Sequence, residues 1–86
     1  MKYVFLQYAN GQVAGVYGSV KRAQAAVLSF LSIAQGNMEI AIRDRSEWME
    51  GKFEGNRAWK MVVKAQDLDT QARFDIVYEI VKEKVL

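Results

Sequence analysis

The side chains best equipped for chemistry in this sequence are charged and aromatic, and several stand close together. Arg43, Asp44, Arg45, Ser46, Glu47 and Trp48 form the densest charged run away from the termini. Read plainly, this is a solvated loop with local ion pairs. Read functionally, it is a recognition loop with an anchor tryptophan, because Trp and Arg are enriched at binding hot spots. Glu47, Glu50 and Glu54 would share one face if the segment were helical, and three carboxylates can hold a hard cation. No calcium-loop spacing accompanies them, so they read as surface charges. Lys21-Arg22 stands at the start of an expected helix, where cations oppose the helix dipole, which hints at an exposed anion contact. Gly15 and Gly18 belong to a strand and a turn, with no phosphate-loop pattern around them.

The groups that are missing narrow the chemistry further. The 86 residues contain no histidine and no cysteine. Histidine is the usual general base near neutral pH and a common metal ligand, so Ser-His-Asp and Cys-His systems and the usual zinc sites are excluded. Carboxylate catalysis needs acids held in a cleft, whereas the acids here have surface spacing. The sequence therefore reads as non-catalytic, with no metal and no cofactor. Half of it is hydrophobic and about a quarter charged, the balance of one folded domain spanning residues 1–86. No apolar run approaches the roughly 20 residues that a membrane span needs. The N-terminus does not read as a signal peptide, since one lysine precedes a strand-like run ending in a turn. Absence of cysteine fits a cytoplasmic location. A net charge of +2 points to nucleic acid only if the basic residues gather on one face.

The elements that position these residues are marked by turns and periodicity. Asn10-Gly11 between Tyr3–Tyr8 and Val13–Tyr17 is a strong hairpin signal, because both residues tolerate positive φ. A plain two-residue turn sets Phe5 opposite Val16, Leu6 opposite Gly15 and Tyr8 opposite Val13. Ser19 can cap a helix over 20–35, with Val20, Ala23, Val27, Phe30, Leu31 and Ala34 on its apolar stripe. Leu28 and Ile33 broaden that stripe, as expected of a helix well covered by neighbours, and Gly36 is the natural left-handed residue after it. Residues 38–43 alternate as a strand, and 59–65 read as another. Residues 44–57 fit a short helix from Ser46, a hairpin arm turning at Gly55-Asn56, or an ordered loop. The last segment alternates from Phe74 to Val81, yet its caps at Asp67 and Asp69 and its length favour a helix. The resulting order is ββαββα: an α+β two-layer sandwich with a mostly antiparallel sheet and two helices on one face.

Strand alternation then divides the side chains between the two faces of the sheet. Tyr3, Phe5, Gln7, Ala14 and Val16 fall on the expected open face, with Glu39, Ala41 and Arg43 from the third strand and Lys60, Val62 and Lys64 from the fourth. Three readings compete for this face. In the first, Tyr3 and Phe5 complete a small core under Trp48 or Phe53. In the second, the face docks a protein partner or a second copy, since apolar patches rimmed by charge mark interaction sites. In the third reading, single-stranded nucleic acid stacks on Tyr3 and Phe5 while Arg43, Lys60 and Lys64 meet its phosphates. Together with Arg45 and Trp48, the candidate binding residues are Tyr3, Phe5, Val16, Arg43, Arg45, Trp48, Lys60 and Lys64.

Val13-Ala14-Gly15-Val16-Tyr17-Gly18-Ser19, leading into a helix with Ala23 and Ala26, resembles the opening of many small bacteriophage or prophage proteins. The resemblance covers about the first third of the chain and implies a compact domain that acts by binding a host protein. The expectation is a small non-catalytic protein-binding module, with a phage-type inhibitor of a host or host-defence protein as the subclass that the resemblance implies. It would act by stoichiometric occlusion. A nucleic-acid-binding protein using an aromatic and basic sheet face is the alternative.

Overall fold

A computed structural model describes residues 2–85, so Met1 and Leu86, the ends of the expected domain and of the last segment, lie outside the described residues. The order is β1 (Lys2–Ala9), β2 (Gln12–Tyr17), α1 (Val20–Gly36), β3 (Ile40–Arg45), β4 (Met49–Phe53), β5 (Asn56–Asp67) and β6 (Arg73–Val85). All strands join one sheet in the order β2-β1-β6-β5-β3, with β4 also paired to β5. Every pairing is antiparallel. The expected ββαββα sandwich with two helices is thereby corrected. One helix lies against a mostly antiparallel sheet, and the segment read as a second helix is β6, the central strand. Its alternation and β-branched residues prevail because β1 and β5 pair along both its edges.

Two turns of the same kind organise the hairpins. Asn10 and Gly11 both have positive φ, as do Glu54 and Gly55, which is the geometry that matches strand twist. The second turn settles residues 44–57 as a hairpin arm, turning one residue earlier than Gly55-Asn56. Asn10 has a further task. Its backbone N–H donates to the Val77 carbonyl at 2.9 Å, and its Oδ1 accepts from the Val77 N–H at 2.8 Å. The hairpin tip is thus fastened to the central strand.

The register of the first hairpin departs from the expected one. Tyr8 pairs with Val13, but Gln7 pairs with Gly15, Leu6 with Val16 and Phe5 with Tyr17. The extra residue, Ala14, makes a bulge, and a one-residue slip turns every later side chain to the other face. Tyr17 therefore joins Phe5, and Val16 joins Leu6. Gly15 makes room for this arrangement, since a Cβ there would lie 2.7 Å from the Tyr17 ring.

Helix α1 starts at Ser19, whose hydroxyl accepts from the Arg22 N–H at 3.1 Å. It ends at Gly36, one residue later than expected, and Met38, at φ 57°, takes the left-handed position assigned to Gly36. The Glu39 N–H reaches Ala34 O and the Met38 N–H reaches Gln35 O, which satisfies the last carbonyls. Ala23, Val27, Leu31 and Ala34 are buried against the sheet. Val27 and Leu31 meet Met61, Val63 and Tyr78 in the core, with Ile40, Ile42, Trp48 and Ile76 packed around them. Truncating Leu31 to Ala in such a site costs about 2–5 kcal/mol.

Strands β3 and β4 lie end to end along the same side of β5, with Ser46, Glu47 and Trp48 between them. Ser46 holds the joint. Its N–H donates to Val62 O, and its Oγ accepts from the Val62 N–H, both at 2.9 Å. At the far end of the sheet, Asp67 Oδ1 accepts from the N–H groups of Asp69 and Thr70 at 2.8 and 3.0 Å. Gln71, at φ 64°, then turns the chain into β6.

Candidate binding surfaces

Residues directly opposite one another in the sheet share a face, so the register assigns every strand side chain to a side. Met61 and Tyr78 define the helix face. The ladders place Tyr3, Phe5, Gln7, Tyr17, Trp59, Ile80, Lys82 and Lys84 on it, with Glu50, Lys52 and Arg57 from the β4–β5 hairpin. Helix α1 packs on β1, β2, β3, β6 and the middle of β5, whereas every residue of β4 is exposed. The molecule is 46 Å long, whereas a helix of 17 residues spans about 26 Å.

On this uncovered stretch the aromatic rings and cations come together. The Phe5 and Trp59 rings are 6.1 Å apart and inclined at 51°. The Arg57 guanidinium lies 5.1 Å from the Trp59 ring centre, and the Lys82 ammonium lies 4.2 Å from that of Tyr3. Glu50 forms an exposed ion pair with Arg57. Such a pair contributes little to stability, roughly 0–1 kcal/mol, but it orients the guanidinium. Among the described residues this stretch carries Lys52, Arg57, Lys82 and Lys84 against the carboxylate of Glu50.

The expected binding residues are divided between the two faces. Tyr3, Phe5 and Arg45 are on the helix face. Val16, Lys60 and Lys64 are on the other, where Lys60 stands opposite Glu79, and Lys64 stands between Asp75 and Asp44. Acids therefore alternate with these lysines. The Arg43 guanidinium donates from Nε to Gln66 Oε1 at 2.9 Å, and Gln66 Nε2 donates to the Gln71 carbonyl at 3.1 Å. Arg43 thus braces the end of the sheet. Trp48 is half-buried and packs against the core from the β3–β4 joint. Trp59, Arg57 and Lys82 complete the aromatic stretch but were outside the expected set. The signal for them lay in the alternation of residues 74–81 read as a strand, which brings Lys82 beside Phe5.

A second surface lies on the helix. Phe30 and Ile33 are 61% and 62% exposed, and Met38 just beyond the helix is 75% exposed. Three residues apart, Phe30 and Ile33 neighbour each other on the flank of the buried stripe. Leu28 lies on the opposite flank, where it lines an open cleft of about 290 Å³ with Ser32, Ile42 and Arg45. The expected broad stripe is corrected here: the sheet covers only its Ala23–Val27–Leu31–Ala34 side.

Two titratable groups among the described residues are shifted by their surroundings. Burial pushes the Tyr78 phenol up, and the N–H groups of Thr70 and Asp69 hold the Asp67 carboxyl below its ordinary value. Both effects belong to the framework. Among the described residues, no three Asp or Glu carboxylates converge as a metal site. In strand β4, Glu50 and the neighbouring turn residue Glu54 do not share the helical face considered from sequence. The small hollow between Tyr8, Gly11, Phe53, Glu79 and Val81 holds about 90 Å³. No helix among the described residues is long and apolar enough to cross a membrane. No family model matches the chain, and no curated protein or solved structure is significantly similar to it.

Proposed function

We propose that this chain is a non-catalytic protein-binding module whose contact surface is the apolar flank of α1, with Phe30 and Ile33 as anchors and Met38 extending it. One observation carries the reading: two large apolar side chains, each more than 60% exposed, stand side by side on a rigid helix. Water contact at such a patch is unfavourable by about 25 cal/mol per Å², so covering it favours association. A helix offers the anchors with little loss of backbone freedom on binding. Such a module acts by stoichiometric occlusion, its apolar anchors desolvated against the partner. A phage-type inhibitor of a host or host-defence protein is the subclass supported by the resemblance of residues 13–26, and the cysteine-free sequence fits a cytoplasmic site of action.

The test is affinity capture from nuclease-treated bacterial lysate, comparing the natural chain with Phe30→Asp/Ile33→Asp. A stoichiometric protein band that survives moderate salt and disappears with the double variant supports the reading, provided the variant keeps its circular dichroism spectrum. Sedimentation of the purified chain separates a second copy from a foreign partner. Capture unchanged by the double variant overturns this surface.

A further inference from the structure

We propose that the uncovered stretch of the helix face is a second, separate binding site, and that its ligand is single-stranded nucleic acid. The site consists of the rings of Tyr3, Phe5 and Trp59 and the cations Arg57, Lys82, Lys84 and Lys52.

The argument begins with ring placement. Phe5 and Trp59 are half-buried on either side of the central strand, Phe5 opposite Lys82 and Trp59 opposite Ile80. Strand pairing on both sides fixes the backbone beneath them, so their orientation is set before any ligand arrives. Aromatic rings on a sheet are sequence-tolerant platforms, because every base has a π-face to offer. The inclination of the two rings keeps them from stacking fully on each other and leaves apolar area for an incoming base.

Charge selects the ligand. Arg57 lies against Trp59 and Lys82 against Tyr3, so each of these rings has a cation within about one residue's reach. A base arriving on such a ring exchanges the cation–π contact for stacking, and the displaced cation remains close enough to meet the adjoining phosphate. Both of the nucleotide's chemical parts are then satisfied at each position. On the other face Lys60 and Lys64 stand opposite acids, so the net +2 charge of the chain is unevenly spread. The requirement that the basic residues gather on one face is met here, with a different set of cations from those expected.

Geometry also favours an unpaired strand. In a duplex the bases are stacked on each other, and flat contact with these rings requires them to be splayed out. An acidic peptide could match the cations but gains nothing from the rings.

The experiment is fluorescence anisotropy of the full chain with a labelled oligo-dT of about 15 nucleotides, long enough to cross one such site. Binding should weaken at least tenfold with Tyr3→Ala, at an exposed position, and with Lys82→Glu, at a half-buried one where circular dichroism checks that the sheet is kept. Trp59→Ala should weaken it further, and circular dichroism reports whether this half-buried change preserves the sheet. Lys64→Glu on the opposite face and Phe30→Asp/Ile33→Asp on the helix should leave binding unchanged, which separates this site from the protein-binding surface. With three or four phosphates neutralised, log K should fall with log salt at a slope of about −2 to −3. No binding at low salt overturns the proposal. So does equal loss with Lys64→Glu, which would mark a diffuse polyelectrolyte attraction, and so does tighter binding of a poly-glutamate peptide than of the oligonucleotide.

Discussion

Met38 is a residue whose conformation and exposure pull in different directions. It occupies the left-handed position that ends α1, where a side chain with a Cβ is strained, and its own side chain is largely in water. Met38→Gly removes the strain and should stabilise the chain by about 1 kcal/mol, seen as a higher urea midpoint, while trimming the proposed helix surface. A change of the opposite sign would show that the methionine side chain contributes packing that outweighs its strain. Asp67 carries a pH dependence. Its folded-state carboxyl is held below the ordinary value of 3.8 by the N–H groups of Thr70 and Asp69. Its contribution is therefore fully present above the unfolded-state value and is lost as pH falls through the folded one. Asp67→Asn keeps an oxygen for the turn but cannot titrate. Its urea midpoint should fall less steeply than that of the natural chain below about pH 4. Gln7 is a third residue at odds with its setting, being 5% exposed with a buried Oε1 that finds no hydrogen-bond partner among the described residues.

At the scale of elements, the first hairpin was legible because Asn10-Gly11 is a local signal and the turn closes locally. Asn10→Gly keeps a turn that tolerates positive φ but loses the acceptor for the Val77 N–H. It should cost about 1 kcal/mol, and Asn10→Ala should cost more because turn conformation is lost as well. Equal melting temperatures for the two variants would show that the Val77 bond dominates. The bulge at Ala14 was not legible, since alternation assumes a period of two throughout, and it carried Val16 and Tyr17 to the faces opposite those expected. The last segment misled for a chemical reason. A carboxylate accepting N–H groups two and three residues ahead is how a helix N-cap works, and Asp67 does the same in a turn. Only the pairing of β6 with β5, the strand just before it, and with β1, at the other end of the chain, decides between the two outcomes. In α1 the N-terminal cap was readable at Ser19, whereas the left-handed residue at the other end is Met38 rather than Gly36. The apolar stripe was wider than the area the sheet covers, so sequence could not say that Phe30 and Ile33 face outward. The aromatic site shared that fate: Tyr3 and Phe5 were identifiable, but Trp59, Arg57 and Lys82 join them only through long-range register.

For the whole molecule, the governing feature is that the last strand is the middle one. β1 reaches β5 only through β6, so the two ends of the chain must meet before the sheet exists. Such non-local pairing makes folding slow for a chain of this size. Removing residues 79–86 deletes Ile80 and Val81, both almost wholly buried, and the centre of the sheet with them. The truncated chain should lack cooperative thermal unfolding and dispersed amide resonances. A folded, cooperative product would mean that β1 can pair directly with β5.

The joint at Ser46 has a consequence for how the molecules behave in a crowd. A sheet with open sides invites other chains to add strands, the first step toward fibres. On one side here the outermost strand is β2, six residues long and bulged. On the other it is divided into β3 and β4, six and five residues long, with a serine hydroxyl standing in at the break. Neither side offers a long, straight row of free amides, so the sheet is poorly suited to grow by adding copies of itself.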